Sequence, residues 1–393
     1  MRILFIVGPL YPHDLGGAEI HIVEVIKGLA KKGHRLEVFV GDDVNLKEIF
    51  DHENIHLHKI TFSKIKNLQS ITYAISAYKT IKKYLKNNKV DVIHAKQVFP
   101  QGLIGALLKN KFSIPYYITA QNPLAYKEEL VLVNKLVPKG LLSILQNFLA
   151  PIIKYSLKKA DITAAVSKYS EEKSLKLGAK KTTIIPNGID EKVFFPDHKQ
   201  PNNKFVITTT STLIPRNGID TLVKAFALIC KRIDNCELNI AGQGPMRDEL
   251  EDIIRREKIG DKVVFLGTIR HKEIPRLLNR SHVFARPSRF EGFGLSFIEA
   301  MACKIPVVTC PSGGIVDFVF DKETGFLVPP DNPEKLANTI LEIKNNAQIT
   351  DKVIENAYDL VVKKYSWQSI VAMVEREYKL LRDNAQLDKK GIK

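Results

Sequence analysis

Residues 283–309, which read VFARPSRFEGFGLSFIEAMACKIPVVT, place two apolar runs on either side of a glycine-containing loop and a short apolar helix. The runs Val283–Ala285 and Val307–Thr309 predict strands, and Leu295–Cys303 predicts the helix between them. Two strands joined through a crossover helix run parallel in one sheet. This stretch therefore predicts a parallel α/β sheet that is covered by helices.

The same alternation of strands and helices continues along the whole chain, and a polar stretch rich in turn formers interrupts it once. We predict two Rossmann-like, doubly wound domains at residues 1–190 and 205–364, a linker at 191–204, and a C-terminal helical segment at 365–393. Two such domains enclose a deep cleft. Ligands of open α/β sheets bind outside the carboxyl ends of the strands, so we expect the chemistry in the loops that face this cleft.

The composition is that of a globular protein, because 45% of the 393 residues are apolar and 26% are charged. These values exclude disordered and low-complexity classes. The four cysteines form no C-x-x-C pair, which predicts a reducing compartment and no structural zinc site. The apolar run Met1–Val7 is too short for a signal peptide, and no apolar stretch is long enough to span a bilayer. We therefore expect a cytoplasmic protein.

The excess positive charge lies in one part of the chain. Residues 59–181 hold 22 lysines, no arginine and six acidic residues, and so account for the whole net charge of +16. Such a region attracts phosphate-rich partners, although a lysine-rich solvated surface is the alternative. Nucleic acid is not an expected partner, because lysine without arginine suits base recognition poorly.

Two basic amphipathic stretches, Ser63–Lys89 and Val131–Lys159, lie within this region. Lysines beside leucine, isoleucine, tyrosine and phenylalanine suit contact with an anionic membrane surface. Ordinary surface helices with one apolar face are the alternative. Peripheral contact with the inner face of a membrane therefore stays open.

Glycines precede two of the predicted helices and suggest anion sites. Gly16 and Gly17 have no side chains to cover the backbone where the first helix begins, and the same holds for Gly292 and Gly294 before the helix at 295. Unpaired N–H groups and the helix dipole favour an anion at such positions, although a plain turn also requires glycine. Neither loop has the spacing of a dinucleotide-binding or Walker A motif, which disfavours a dehydrogenase or a P-loop NTPase.

Two glutamates are placed differently around the second loop. Glu299 is the only charged residue between Gly292 and Lys304, so its carboxylate needs a partner inside an apolar helix. The hydroxyls of a bound diol would serve, and an internal lysine or backbone group is the alternative. Glu291 lies eight residues earlier, in the loop, and this spacing does not suggest the carboxylate pair of a glycosidase.

The setting SRFEGFGLSFIEAMA, with seven residues between the glutamates, resembles the signature of glycosyltransferase family 4, whose members are retaining enzymes of the GT-B fold. Other motifs extend the resemblance over nearly the whole chain, namely GGAE at 16–19, IPNGID at 185–190, AGQGP at 241–245, ETGFLVPP at 323–330 and YSW at 365–367. Together they are specific, where any one alone is weak.

The resemblance implies a retaining transfer from a nucleotide-diphosphate sugar to a glycan or lipid-linked acceptor, with the C-terminal helix crossing back to the first domain. It implies that Glu299 binds the ribose and that Glu291 lies near the donor sugar. It also implies a reaction that needs no metal and no cofactor, and the absence of a D-x-D motif from the sequence agrees with this. Catalytic roles are expected for Glu291, Gly17 and His94. Donor contacts are expected from Gly16, Gly17, Arg216, Asn217, Gly242, Phe293, Gly294, Leu295 and Glu299.

Several positions depart from the family pattern. Thr212 and Asn217 stand where an arginine and a lysine usually meet the donor diphosphate, and Arg216 is a candidate substitute. Gln121-Asn122 replaces a common His-Gly, and Lys96 replaces a second histidine. His94 would contact donor or acceptor, or be a structural residue at a strand end. A weakly catalytic nucleotide-sugar-binding protein, or another GT-B enzyme such as an epimerase, is therefore the alternative reading.

Overall fold

The computed structural model describes residues 1–10, 16–41, 46, 49–63, 65, 68–121, 139–197 and 204–389. The chain divides into two compact units. The first combines Met1–Ala125 and Ile144–Asn187 with Trp367–Lys393, and the second is built on Gly188–Ser366. Each unit holds one parallel sheet with helices packed against it, which confirms the predicted doubly wound α/β class.

The first unit contains a seven-stranded sheet in the order β3-β2-β1-β4-β5-β6-β7. The strands are β1 Arg2–Gly8, β2 Arg35–Gly41, β3 Ile55–Ile60, β4 Val92–Ala95, β5 Tyr116–Ala120, β6 Ile162–Ala165 and β7 Thr182–Ile184. All the pairings are parallel. The strand order reverses direction between β1 and β4, which makes a crevice at their carboxyl ends.

Among the residues that the structure describes, five helices lie between these strands, and one more follows from the C-terminal part of the chain. They are α1 Gly17–Lys31, α2 Gln69–Asn87, α3 Gln101–Phe112, α4 Lys139–Lys159, α5 Lys168–Lys176 and α12 Trp367–Lys389. Helix α12 supplies Ile370, Val371, Val374 and Tyr378 to the core that β1, β2 and α1 form. The side chain of Val371 fills the space beside Gly28, so α1 and α12 pack closely.

The second unit contains a six-stranded sheet in the order β10-β9-β8-β11-β12-β13, with the reversal between β8 and β11. The strands are β8 Phe205–Thr210, β9 Cys236–Ala241, β10 Val263–Gly267, β11 Val283–Arg286, β12 Val307–Thr309 and β13 Phe326–Leu327. The helices are α6 Ile219–Cys230, α7 Arg247–Glu257, α8 Ile274–Leu278, α9 Leu295–Ala302, α10 Pro333–Asn345 and α11 Ala347–Lys364.

The stretch predicted as a linker is partly structured. Residues 198–203 lie outside the described residues, but Phe194 is buried and its ring lies 5.1 Å from that of His271. The backbone N–H groups of Val193 and Phe194 both donate to Asp190 O. The first part of this stretch is therefore packed with the second unit, and the linker at 191–204 stays a prediction.

No helix within the described ranges has both the length and the apolar character that crossing a bilayer requires.

Candidate active site

The loops that follow β8 and β11 meet at the strand reversal of the second sheet. The backbone N–H of Arg289, in the loop after β11, donates to the carbonyl of Arg216, in the loop after β8, over 2.7 Å. Arg289 also binds Asp220 and Asp331 through its guanidinium. It thus ties three loops together, a role that the sequence analysis missed.

Glu291 lies in the loop between β11 and α9 and is held by a buried arginine. Its Oε2 accepts a hydrogen bond from Nη2 of Arg286 over 2.7 Å. The side chain of Glu291 is 13% exposed and that of Arg286 is 8% exposed, so the ion pair is largely removed from water. Arg286 therefore fixes where the Glu291 carboxylate points, which makes it a positioning residue.

Arg286 is the last residue of β11, and the sequence analysis did not select it. Its guanidinium also donates to Thr210 O and Ser288 Oγ, each over 3.2 Å, and lies 4.4 Å from the ring centroid of Phe297. Burial lowers the pKa of the Arg286 guanidinium from its usual value, while Glu291 acts to raise it. A charged residue at the end of an otherwise apolar strand was the signal that could have identified it.

Glu299 lies in α9 and is 4% exposed. Its Oε1 lies 2.5 Å from Nε2 of His271, a residue of the short turn that follows β10. The internal partner is thus a histidine, neither a lysine nor a backbone group. Within the described part of the chain, Oε2 of Glu299 has no hydrogen-bond partner, so this oxygen can still accept from a ligand hydroxyl.

Two glycines shape the backbone around the glutamates. Gly294 precedes α9 with φ +92°, a conformation that favours glycine, and a Cβ there would lie 2.5 Å from the ring of Phe297. Gly313 has φ +59°, and its Cβ would lie 1.9 Å from the carbonyl oxygen of Glu291. The turn after β12 thus packs directly on the backbone of Glu291.

Phe293 and Leu295 flank Gly294, and both side chains are buried. The ring of Phe293 lies against Phe318 and Tyr365, at centroid distances of 5.1 and 5.7 Å. Any contact of these two residues with a ligand would therefore be made through the backbone.

The loop after β8 places two predicted donor residues differently. Asn217 is buried and its Nδ2 donates to Thr212 O over 2.7 Å, whereas its Oδ1 has no hydrogen-bond partner among the described residues. Arg216 is half-buried, and its Nε has no hydrogen-bond partner within the described ranges. Arg216 lies near enough to Arg286 to act on its pKa electrostatically. The loops at this strand reversal and helix α9 therefore hold Arg216, Glu291 and Glu299 close enough to Arg286 to act on its charge.

Gly242 follows β9, and its N–H donates to Gly267 O over 2.7 Å. It therefore joins the loops after β9 and β10, which border the site. The described residues contain no group of three or more His, Cys, Asp or Glu side chains that could hold a metal ion.

The other predicted residues belong to the first unit. Gly16 is the N-cap of α1 and Gly17 is its first residue, as the sequence predicts. His94 lies in β4, fully buried, with Nδ1 bonded to the hydroxyl of Tyr378 and Nε2 to that of Thr119 over 2.7 Å. Burial lowers its pKa well below the usual 6.5. Both ring nitrogens are therefore used within the first unit, which favours the structural alternative, and the catalytic role of His94 stays a prediction.

Known proteins that are similar to this chain in sequence identify its family. A family model described as Glycosyl transferases group 1 matches residues 190–360, and one described as Glycosyltransferase Family 4 matches residues 15–193. An uncharacterised glycosyltransferase of Methanocaldococcus jannaschii is 29% identical over 95% of this chain and 97% of its own length. One component of the Homo sapiens phosphatidylinositol N-acetylglucosaminyltransferase is 25% identical over 94% of this chain and 74% of its own length.

Among solved structures, Anabaena HepE in complex with UDP-glucose is similar with a TM-score of 0.77 and 22% identity, over 96% of this chain and 99% of that one. Two parallel Rossmann-like sheets of this kind define the GT-B class of glycosyltransferases. The two family matches follow one another along the chain and together span most of it. The chain belongs to the group 1, family 4 glycosyltransferases, as the sequence motifs predict, and it is an enzyme of that type.

Proposed function

We propose that the protein transfers a sugar from a nucleotide-diphosphate sugar, with retention, to a glycan or lipid-linked acceptor. The observation that carries the donor assignment is Glu299, a buried carboxylate whose Oε1 is held by His271 while Oε2 has no partner among the described residues. A carboxylate oxygen placed in this way accepts hydrogen bonds from a ribose diol.

The charge that develops on the departing diphosphate needs stabilisation in the transition state. Arg216, with its buried and unpaired Nε, and the backbone N–H groups at the start of α9 are the groups of the second unit suited to this. Glu291, fixed by Arg286, is assigned to the donor sugar.

The donor site is tested by thermal unfolding with UDP, GDP, ADP or CMP, alone and as sugar conjugates. UDP is the first to try, because the similar HepE structure holds UDP-glucose. A ligand at about 100 times its Kd stabilises the native state by about 2.7 kcal/mol. We expect one nucleotide to raise Tm and Glu299→Ala to abolish that shift.

Glu355→Ala is the matched control, because Glu355 is an exposed carboxylate of the same unit that pairs with Lys304. It should leave the nucleotide-induced shift unchanged. No shift with any nucleotide, or an equal loss in both variants, would refute the donor site. Transfer that persists in excess EDTA is the expected result for metal independence, and its loss on chelation would contradict that part.

One observation favours the alternative, a protein that binds nucleotide sugar but transfers it weakly. The side chain of Asn217 donates to Thr212 O within its own loop, and Thr212 carries no charge. It predicts a nucleotide-dependent shift in Tm without measurable transfer or hydrolysis of any donor. Release of free nucleotide from a bound nucleotide sugar would exclude it.

We also propose that the first unit contacts an anionic membrane where it meets a lipid-linked acceptor, at the inner face. Its α2 patch consists of exposed apolar residues just before α2 and in its first turns, followed along the helix by lysines. These are Ile65, Leu68, Ile71 and Ile75, with exposures of 64, 46, 52 and 52%, and Lys79, Lys83 and Lys86. The lipid acceptor named for the human relative supports this proposal. The second basic stretch begins with residues 131–138, which lie outside the described residues.

Each lysine near an anionic surface contributes about 1 kcal/mol to binding. We expect flotation with phosphatidylglycerol vesicles, weaker flotation with phosphatidylcholine, and loss of binding in Ile71→Ser/Ile75→Ser. Leu380→Ser is the control, since Leu380 is a similarly exposed residue of α12 in the same unit. Flotation that is equal for both lipids, or equally reduced by the control, would refute the patch.

A further inference from the structure

The first sheet has its own strand reversal, between β1 and β4, and buried polar side chains lie at it. Lys96 directly follows β4, and its backbone N–H donates to Ile6 O over 3.1 Å. Gln101 begins α3, and its Nε2 donates to the next carbonyl of β1, Val7 O, over 3.2 Å. Both residues therefore flank the end of β1, in the crevice where a doubly wound sheet binds its ligands.

Lys96 is 4% exposed, and its ammonium is bonded to one carboxylate, Oε1 of Glu19, over 2.5 Å. Glu19 lies in the first turn of α1, 25% exposed, and its Oε2 lies beside Gly16. An ammonium group has three N–H donors, and the described residues provide a partner for one of them. The start of α1 and Lys96 thus form a cationic site that Glu19 occupies as an internal anion.

Gln101 adds an unused acceptor to this site. The residue is 4% exposed, and its Oε1 has no hydrogen-bond partner within the described part of the chain. Its amide packs against Gly8, which has φ +84° and no side chain to cover it. A buried amide oxygen without a partner costs free energy, and a ligand hydroxyl would remove that cost.

We propose that Glu19, Lys96 and Gln101, here called the β1/β4 crevice, bind a phosphomonoester that also carries a hydroxyl group. The phosphate takes the place of the Glu19 carboxylate on Lys96 and at the start of α1, and the hydroxyl donates to Oε1 of Gln101. This proposal rests on the proposed transfer reaction and assigns to its acceptor an anionic phosphate group next to a polyol. The excess of lysine in residues 59–181 would draw such an acceptor to this unit.

The test is isothermal titration of the whole protein, without nucleotide, using glycerol 3-phosphate and inorganic phosphate as probes. We expect glycerol 3-phosphate to bind more tightly than phosphate, because only the ester offers a hydroxyl to Gln101. Lys96→Met should weaken binding by about tenfold or more, since it removes a charged donor. Glu19→Gln should strengthen binding by a similar factor, because it removes the competing carboxylate.

Lys109→Met is the matched control, because Lys109 pairs with Asp161 in the same unit outside the crevice. Its binding should equal that of the wild type. Lys96→Met/Glu19→Gln removes both charges together, so it leaves no unpaired buried ion and keeps the test valid if Lys96→Met alone folds poorly. Binding in this double variant as tight as in the wild type would overturn the proposal, as would an absence of binding by Glu19→Gln.

UDP separates the two possible sources of the phosphate. We expect glycerol 3-phosphate to bind equally with UDP present, which fits an acceptor group. Competition by UDP that depends on Lys96 would overturn the acceptor assignment and place a donor phosphate in the crevice. Because the probes need no nucleotide, failure of the nucleotide test with Glu299→Ala would leave this result readable, and the two failures are distinguishable.

Discussion

Arg286→Met is the substitution that tests most directly how the loop between β11 and α9, which carries Glu291, is held in place. Arg286 is 7% exposed and its guanidinium bonds Glu291 Oε2, Thr210 O and Ser288 Oγ. Its removal leaves the carboxylate of Glu291, itself 13% exposed, without a cation. Breaking one partner of a buried ion pair costs about 3–5 kcal/mol. We expect a loss of that size in the free energy of unfolding of the second unit.

Adding Glu291→Gln should restore part of this loss, because the neutral amide leaves no unpaired charge. A double-mutant cycle should therefore give a coupling energy of about 1–3 kcal/mol. Urea unfolding followed by far-UV circular dichroism measures the loss. Trp367, the single tryptophan, lies in the first unit and gives an internal fluorescence control. A loss below about 1 kcal/mol, or effects that add within about 0.5 kcal/mol, would refute the reasoning.

Three further substitutions are informative. Gly313→Ala should cost about 1–3 kcal/mol of stability and lower transfer, because its φ and the carbonyl of Glu291 leave no room for a Cβ; wild-type transfer would contradict this. Burial acts to raise the pKa of Glu37, but hydrogen bonds, that from His58 the largest, lower it to about 2. The wild type should therefore lose stability as pH falls from about 4.5 to 2, and Glu37→Gln should flatten that slope in acid unfolding curves. Tyr378→Phe should lower the free energy of unfolding by about 1–3 kcal/mol, because it leaves His94 Nδ1 unpaired. Unchanged KM and kcat would support a structural role for His94. Loss of transfer in a variant that still folds would support the catalytic role instead.

The elements that the sequence predicts well are those with a single dominant signal. Strand β1 contains an uninterrupted apolar run, Ile3–Val7, and α9 follows a glycine and is apolar except for Ser296 and Glu299. Strand β3 has a weaker signal, because it pairs with one neighbour, β2, and carries His56, His58 and Lys59 on a partly exposed edge. A strand at a sheet edge need not be apolar, so its pattern is weak.

Local sequence signals also mark where two other helices begin. Helix α10 begins with Pro333 after Asn332, whose side chain accepts from the N–H of Lys335, and this Asn-Pro pair is a typical helix start. Residues 271–278 form a short turn, His271–Glu273, followed by α8, with Pro275 in the first turn of that helix. Proline lacks the N–H that a continuous helix would need there.

The candidate site is predictable only in part. Glu291 and Glu299 follow from their local surroundings, because a loop glycine pattern and an apolar helix are properties of neighbouring residues. The partner of Glu299 is His271, which lies 28 residues earlier in another loop, so no local pattern connects them. The same limit explains His94, whose partners Thr119 and Tyr378 come from β5 and α12 and are visible only once the chain is folded.

The place of α12 has a consequence for the order in which the chain is made. Residues 370–381 supply part of the core of the first unit, although they are synthesised after the whole of Gly188–Ser366. During translation of the second unit, the apolar surface of the first unit that α12 will cover therefore stays exposed. The second unit can complete its core first, and the unit that begins the chain is the last to finish folding.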